Sequence, residues 1–464
     1  MTKQEQPIIV GLDIGTTKVV AIAGRKNEFG KLEILSVGRA ESHGVNHGVV
    51  MNIDQCIRSI QIAIEKCLMS NPDLDIREVY VGIAGQHIKS LQTRGDRMRT
   101  DTDSEITRKE IEGLINDQKK TFIPAGDEII DIVPQEFFVD DMQTTLSPIG
   151  MNGVKIGANF HIITGDRNAI RNIKRCVEKS ELRTRDLVLQ PLASAAAVMS
   201  AEDLEAGVAI VDIGGGTTDM AVFYDGILKH TAVIPYAGVN ITNDIRNGLG
   251  VLRAQAEQLK VQFGTAHADH ASSNSYITIP GLKGLPPKEI SVKNLAHIIQ
   301  ARTHEILDYV LYHLKQIGLE KRLYGGIILT GGGARLKHIT QLTEYVTGLG
   351  ARIGLPNEHL AGGHSEELSD PMYSTCIGLI LRGYHDFENG NFMSSDNNLL
   401  HIRTEDSQLS DQVAVAQTEL TMPEISQEEM GKQRRQKIQM GKLFDGLKNK
   451  LMSMFEDEQD QLLD

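Results

Sequence analysis

Two short stretches gather acids, glycines and threonines directly after an apolar run: GLDIGTTK at residues 11–18 and IVDIGGGTTDM at residues 210–220. That set suits a phosphate chain with its magnesium ion, a compact anion that needs many short donors. A glycine-rich turn between two strands presents backbone N–H groups with no Cβ in the way, and threonine hydroxyls add donors. An aspartate closing the first strand holds the magnesium through its waters. Asp13, Gly15, Thr16, Thr17 and Lys18 form one jaw. Asp212, Gly214, Gly215, Gly216, Thr217 and Thr218 form the other, with Asp219 beside them. One such turn is equally well explained as a hairpin made for geometry. Two copies, each with Asp two residues before its turn glycine, argue for a clamp. Neither fits GxxxxGK[ST], and a strand rather than a helix follows each, which excludes the Rossmann fingerprint.

A third turn, ILTGGGARL, carries Gly331, Gly332, Gly333 and Arg335 and leads toward a helix. There a flat base could approach the backbone closely.

The elements that position these turns are legible in outline. Residues 8–24 read as strand, turn, strand hinged at Gly15, and residues 32–38 as a further strand. Ile57, Ile60, Ile64 and Leu68 recur at helical spacing across 54–69. After a strand at EVYVGIAG, residues 86–166 change character, with ITRKEIEGLINDQKK as a charged amphipathic helix, and look inserted. LVLQPLASAAAVMS reads as a core helix whose small residues allow close helix packing. The second turn opens a new half. HADHASSNSYITIPGLKGLPPKE reads as a polar loop with solvated His267 and His270, and two long helical patterns follow it.

Regular patterning ends near Tyr384, and residues 386–429 hold ten acids against one arginine, the composition of a disordered linker. In GKLFDGLKNKLMSMFEDE, residues 441–458, Leu443, Phe444, Leu447, Leu451, Met454 and Phe455 share one helical stripe. Lys432, Arg434, Arg435 and Lys437 add a basic patch upstream. Such a helix is too short to span a bilayer and suits the plane of an anionic membrane surface.

The 464 residues suffice for two or three domains, and 41% hydrophobic with 23% charged content describes a globular protein. A net charge of −13 argues against a nucleic-acid binder, and nothing in the chain resembles a broad basic face. No apolar stretch has the length of a bilayer span, and the first residues lack the apolar core of a signal peptide. Cys56, Cys67, Cys176 and Cys376 form no CxxC and suit a reduced compartment. His43 and His47 stand four apart, but the glycines of HGVNHG argue against the helix that metal binding would need.

The order DxG…DxGGGT…GGG resembles the actin, Hsp70 and sugar-kinase superfamily. Within it, IIDIVPQEFFVDD…PIGMNGVKIGANFHIITG (129–165), VIPYAGVNITNDI (233–245) and the basic tail resemble the bacterial cell-division FtsA family. The likeness spans roughly residues 7–385 plus the tail. It implies an α/β, actin-like two-lobed ATPase fold with an inserted α+β subdomain and a disordered acidic linker ending in an amphipathic helix. The implied parts are a first lobe at 7–86 and 167–204, an inserted subdomain at 87–166 and a second lobe at 205–247 and 326–385. An outer subdomain at 248–325, an acidic linker at 386–430 and a membrane-targeting tail at 431–464 complete them.

The resemblance further implies ATP with Mg2+ between the lobes, with Asp13 and Asp212 on the metal's waters, and assembly into filaments. It implies a link from the cytoplasmic face of the membrane at the division site to the C-terminal tail of the tubulin-like GTPase FtsZ. Later division proteins would be recruited through the inserted subdomain. Carried over by position, AEQLK places Glu257 at the ribose hydroxyls and Lys260 against the adenine. The helix ISVKNLAHIIQARTHEIL corresponds to the docking surface for the FtsZ tail, with Lys293 and Arg302 as contacts. Gln190 stands where active superfamily members often carry a water-directing Glu or Gln. An amide orients a water but cannot take its proton, so slow hydrolysis at most is expected. A sugar kinase and a pilus-assembly actin homologue are the rival readings. The tail argues against both, and the PQEFFVDD segment against the second.

Overall fold

Each of the first two glycine turns sits at the end of the central strand of a five-stranded sheet, and the two sheets share one plan. In the computed structural model the described residues are 6–141, 143–281, 286–362 and 366–388. The acidic linker beyond its first three residues, and the tail with Leu443, Phe444, Leu447, Leu451, Met454 and Phe455, lie outside the described residues.

The first sheet runs Arg183–Leu189, Glu78–Ile83, Ile9–Ile14, Lys18–Lys26, Leu32–Glu41. The second runs Ala351–Ile353, Ile327–Thr330, Val208–Ile213, Thr218–Tyr224, Ile227–Ile234. In each, the central strand pairs antiparallel with the strand after its turn and parallel with its other neighbour. The central strands IVGLDI and VAIVDI are buried at every position, which is why they read as unbroken apolar runs closed by an acid.

Two helices, Gln190–Val198 and Ser374–Glu388, join both halves in one core that includes Val20 and Tyr80 from the first sheet and Ile210 and Ile328 from the second. Helices Ile53–Ser70 and Arg167–Lys179 contribute to a separate core on the first sheet through Cys56, Ile60, Ile170 and Ile173. The cysteines are buried and unpaired, as small core residues.

A four-stranded antiparallel sheet, ordered Ile88–Met98, Lys155–Asp166, Asp127–Val139, Gln143–Thr145, is inserted in the chain between Glu78–Ile83 and Arg183–Leu189, which pair with each other in the first sheet. Its helix Arg108–Gln118 starts in a capping box between Thr107 and Glu110. The sheet also leans on the second lobe: Gln92 Nε2 donates to Lys229 O at 3.2 Å, and Lys229 pairs with Glu136 at 2.6 Å.

Four local expectations change. LVL of LVLQPLASAAAVMS belongs to the strand Arg183–Leu189, and the helix starts only at Gln190, where Pro191 takes the first turn. The polar loop runs into a hairpin, Tyr276–Ile279 with Lys288–Ser291, two four-residue strands in which only Ile290 is buried, so the apolar signal is weak. The two helical patterns after it are one 25-residue helix, Val292–Gln316, since no breaker interrupts them. His267 and His270 are not simply solvated either. Their ring centroids lie 5.0 Å apart, and His270 stacks on His338 at 4.4 Å.

Candidate functional site

The two turns are built alike. Gly15 N donates to Lys18 O, and Gly214 N to Thr217 O, both at 2.9 Å. They meet face to face. A Cβ on Gly216 would lie 2.3 Å from Thr16 Oγ1, and one on Gly215 2.5 Å from Thr17 Cγ2. Only glycine permits this approach, so the second turn's extra glycines are explained by the first turn's threonines.

Three carboxylates converge at the cleft: Asp13, Asp212 and Asp219 are 5%, 7% and 2% exposed. Burial pushes each of them above the usual carboxylate range. For Asp13, Lys18 works against that rise and Asp212 adds to it. Asp212 is relieved by hydrogen bonds from Ser194 and Thr375 and by Lys18. Asp219 is pushed up to about 8 by burial, against a bond from Thr217, with Asp212 and Asp13 adding to the rise.

Lys18 lies 3.7 Å from Asp13 and also donates to Met372 O. Three acids with one lysine leave the cleft short of positive charge, which a hydrated divalent cation would supply. Among the described residues no three His, Cys, Asp or Glu are arranged to hold a metal directly, so water-mediated contacts suit the donor set. Glycine-lined turns, hydroxyls and acids together fit a magnesium–phosphate group.

The other expected residues divide. Gly331 and Gly332 line the cleft, and Gly331 has a φ of +81° where a Cβ would fall 2.2 Å from Asp212 Oδ1. Gly333 packs behind, against Ile213. Arg335 is committed to Asp370 at 3.1 Å, and Thr218 donates to Tyr236 O at 2.8 Å. Glu257 and Lys260 join each other at 2.8 Å, and Lys260 also donates to Gly238 O at 3.0 Å. Gly238 N in turn donates to Gly214 O at 3.2 Å, so this pair reaches the second turn through one residue. Gln190 Nε2 donates to Asp13 Oδ1 at 2.8 Å, which ties its amide nitrogen to the first jaw.

Arg302 is engaged with Asp244 at 2.6 Å and also with Glu305, and its guanidinium carbon lies 5.5 Å from the Tyr236 ring centroid. Lys293 is half-buried at the start of the same helix.

Sequence reasoning missed Ser194 and Thr375, whose hydroxyls donate to Asp212 Oδ2 at 2.7 and 3.1 Å. Ser194 lies in the small-residue helix, where size explained it fully, and Thr375 opens a helix with no motif of its own. The contact between Gly48 and Thr16 was missed as well.

Paired sheets of one plan, each carrying an acid-and-glycine turn into a shared cleft, define an actin-like protein. Solved structures of that class share the fold: the PilM–PilN type IV pilus biogenesis complex matches with a TM-score of 0.60 at 16% identity, covering 81% of this chain and 98% of that one. MreB 5 of Spiroplasma citri bound to AMPPNP matches with a TM-score of 0.52 at 15% identity, covering 83% and 99%. The family model described as cell division protein FtsA matches residues 209–378, and that of the SHS2 domain inserted in FtsA matches 85–164. Cell division protein FtsA of Pseudomonas aeruginosa is 36% identical over 391 residues, 84% of this chain and 93% of the relative. That of Neisseria meningitidis serogroup B is 38% identical over 380 residues, 82% and 90%. The chain belongs to the FtsA family of actin-like cell division proteins.

Proposed function

We propose that the cleft binds ATP with magnesium and that the protein assembles on the cytoplasmic face of the membrane at the division site, where it tethers FtsZ. The meeting of the two turns around Asp13, Asp212 and Asp219 carries the nucleotide reading. In it, the backbone N–H groups of both turns and Lys18 hold the phosphates. Asp13 and Asp212 hold the waters of the magnesium, and Glu257 and Lys260 attend the nucleoside. ATP with magnesium, when bound, supplies the charges that make the two lobes one unit. Gln190 orients a water through its amide while Asp13 holds its nitrogen, so hydrolysis is slow.

The first lobe is residues 7–86 and 167–204, and the second is 205–247 and 326–385 with its outer part at 248–325. The outer part receives the FtsZ tail on the helix Val292–Gln316. Lys293 is the freer of the two contacts there, since Arg302 already answers Asp244 and Glu305. The inserted subdomain, 87–166, recruits later division proteins. The tail lies on anionic lipid, and a filament presenting many tails holds where one lets go. The identities of 36% and 38% to FtsA proteins favour this reading over a sugar kinase or a pilus-assembly homologue.

Isothermal titration with magnesium-ATP tests the nucleotide site. Asp13→Ala and Asp212→Ala each remove a charge-assisted contact of about 1.5–3 kcal/mol, roughly ten- to a hundredfold in affinity. Wild-type affinity in both variants ends the reading.

A further inference from the structure

The hairpin Val45–Asn46/Val49–Val50 turns at His47 and Gly48, whose φ angles are +46° and +74°. Two-residue turns of this hand need positive φ at both centres, a demand that Asn-Gly meets at least cost. Gly48 has no alternative, because a Cβ there would sit 2.4 Å from Ala84 O. His47 is the costlier choice at the first centre, and its ring has a use outside the hairpin. Its Nδ1 lies 2.7 Å from Gly216 O, in the turn of the opposite lobe. A carbonyl only accepts, so Nδ1 carries the proton. Beside it, Gly48 N donates to Thr16 Oγ1 at 3.4 Å. One hairpin tip therefore touches both jaws.

The tip rests on a firm base. Met51 N and Asn52 N donate to Gly44 O at 2.8 and 3.0 Å, and the Asn52 side chain caps the helix Ile53–Ser70 by accepting from Gln55 N at 3.1 Å. The Gly216–Thr217 peptide is planar and trans, so drawing the Gly216 carbonyl toward His47 turns the Thr217 N–H the other way. A carbonyl whose oxygen is engaged by a ring N–H presents less negative charge to an anion, and the N–H of the same peptide is left fixed.

We propose that His47 is a positioning residue of the clamp, holding the second turn's carbonyl aside so that both turns present N–H groups to the outer phosphates of a nucleoside triphosphate. This rests on the cleft being a nucleotide site. Both turns then stand pre-set, and less ordering is needed when the ligand arrives. His47 touches no reacting atom and acts through Gly216. Its effect belongs to the phosphates and not to the nucleoside.

The test titrates magnesium-ATP and AMP into the full chain as wild type, His47→Ala, His47→Asn and His47→Gly, with thermal unfolding of each. His47→Ala should weaken ATP about five- to tenfold, the worth of one hydrogen bond, and leave AMP unchanged. His47→Asn keeps a donor and accepts the backbone, and should recover most of the ATP affinity. His47→Gly relieves the backbone without a donor, so it should unfold no earlier than His47→Ala yet bind ATP as weakly. Equal losses for ATP and AMP would mean that His47 only holds the lobes together, and would overturn the proposal. Unchanged or tighter ATP binding in His47→Ala overturns it too. No ATP binding by the wild type removes the nucleotide reading and this inference with it, whereas tight wild-type binding with an indifferent His47 removes the inference alone.

Discussion

Asp212 and Asp219 stand directly opposite each other on antiparallel strands, two buried carboxylates in one cross-strand pair. Burial first, and then the repulsion of like charges so placed, pushes the Asp219 carboxyl up to about 8 from its ordinary 3.8. Between those values the folded chain keeps a proton that the unfolded chain has lost. Stability contributed by this group therefore falls as pH rises across the window, and the penalty is complete above it. Asp219→Asn is neutral and nearly the same shape, so it should gain on the wild type steadily from about pH 5 to about pH 8. Urea midpoints of both proteins across that range check it, and parallel pH profiles would refute it.

A second prediction concerns helix packing. A Cβ on Gly378 would lie 1.7 Å from Ala193 O, where the helix Ser374–Glu388 crosses Gln190–Val198. Backbone cannot give way as a side chain does, so Gly378→Ala should cost about 1–3 kcal/mol or more. Nucleotide affinity should fall as well, because the same helix carries Thr375 to Asp212. Gly350→Ala meets nothing within 4 Å and serves as the neutral control. Urea denaturation of the two variants reads the difference directly.

In the inserted sheet, the buried Arg99 guanidinium holds Glu110 at 2.8 Å and also donates to Gly153 O at 2.8 Å and Ser104 O at 2.9 Å. Bonds from Arg99 and from the Thr107 backbone lower the Glu110 carboxyl to about 2, below its ordinary 4.5. A lowered carboxylate stabilises above the unfolded value and loses that contribution as pH falls from about 4.5 toward about 2. Glu110→Gln should cost roughly 1.5–3 kcal/mol at neutral pH and lose less than the wild type on acidification. Circular dichroism during acid titration distinguishes the two proteins.

The surface contacts separate cleanly. Lys293→Glu should weaken binding of an FtsZ tail peptide without changing ATP affinity, measured by fluorescence anisotropy. Arg302→Glu should also destabilise the fold, since it faces Asp244 and Glu305 with like charge. Phe444→Glu with Leu447→Glu should move the protein from pellet to supernatant on anionic liposomes and leave ATP binding intact. A double variant that still pellets would place the anchor elsewhere.

The jaws were legible because backbone chemistry restricts them to glycine, threonine and aspartate at fixed spacing, as Asp13 to Gly15 and Asp212 to Gly214 illustrate. The strand–turn–strand at each jaw was legible from apolar runs that close on an acid, whereas the five-stranded order of the two sheets was not. The residues that complete the site carry no such signature. Ser194 reads as packing until Asp212 is seen 2.7 Å away, and His47 as half of a histidine pair without a helix until Gly216 is placed beside it. Both relationships join positions far apart in the chain, and local periodicity does not report them. The hairpin Tyr276–Ile279/Lys288–Ser291 escaped for the opposite reason, with too little buried surface to pattern its residues.

The helix Ser374–Glu388 also sets an order of birth. It lies against the strand Ile9–Ile14: Cys376 packs on Gly11, and Tyr384 bonds to the carbonyl of Pro7. The strand Ile9–Ile14 therefore waits for the last described helix before this face of its sheet is covered. Both sheets pair their own strands without it, the first between residues 9 and 189 and the second between 208 and 353. Contacts of such long sequence separation form late and slowly. A nascent chain stopped before Ser374 carries a bare apolar face on its first sheet, the kind of surface that chaperones bind and aggregates grow from.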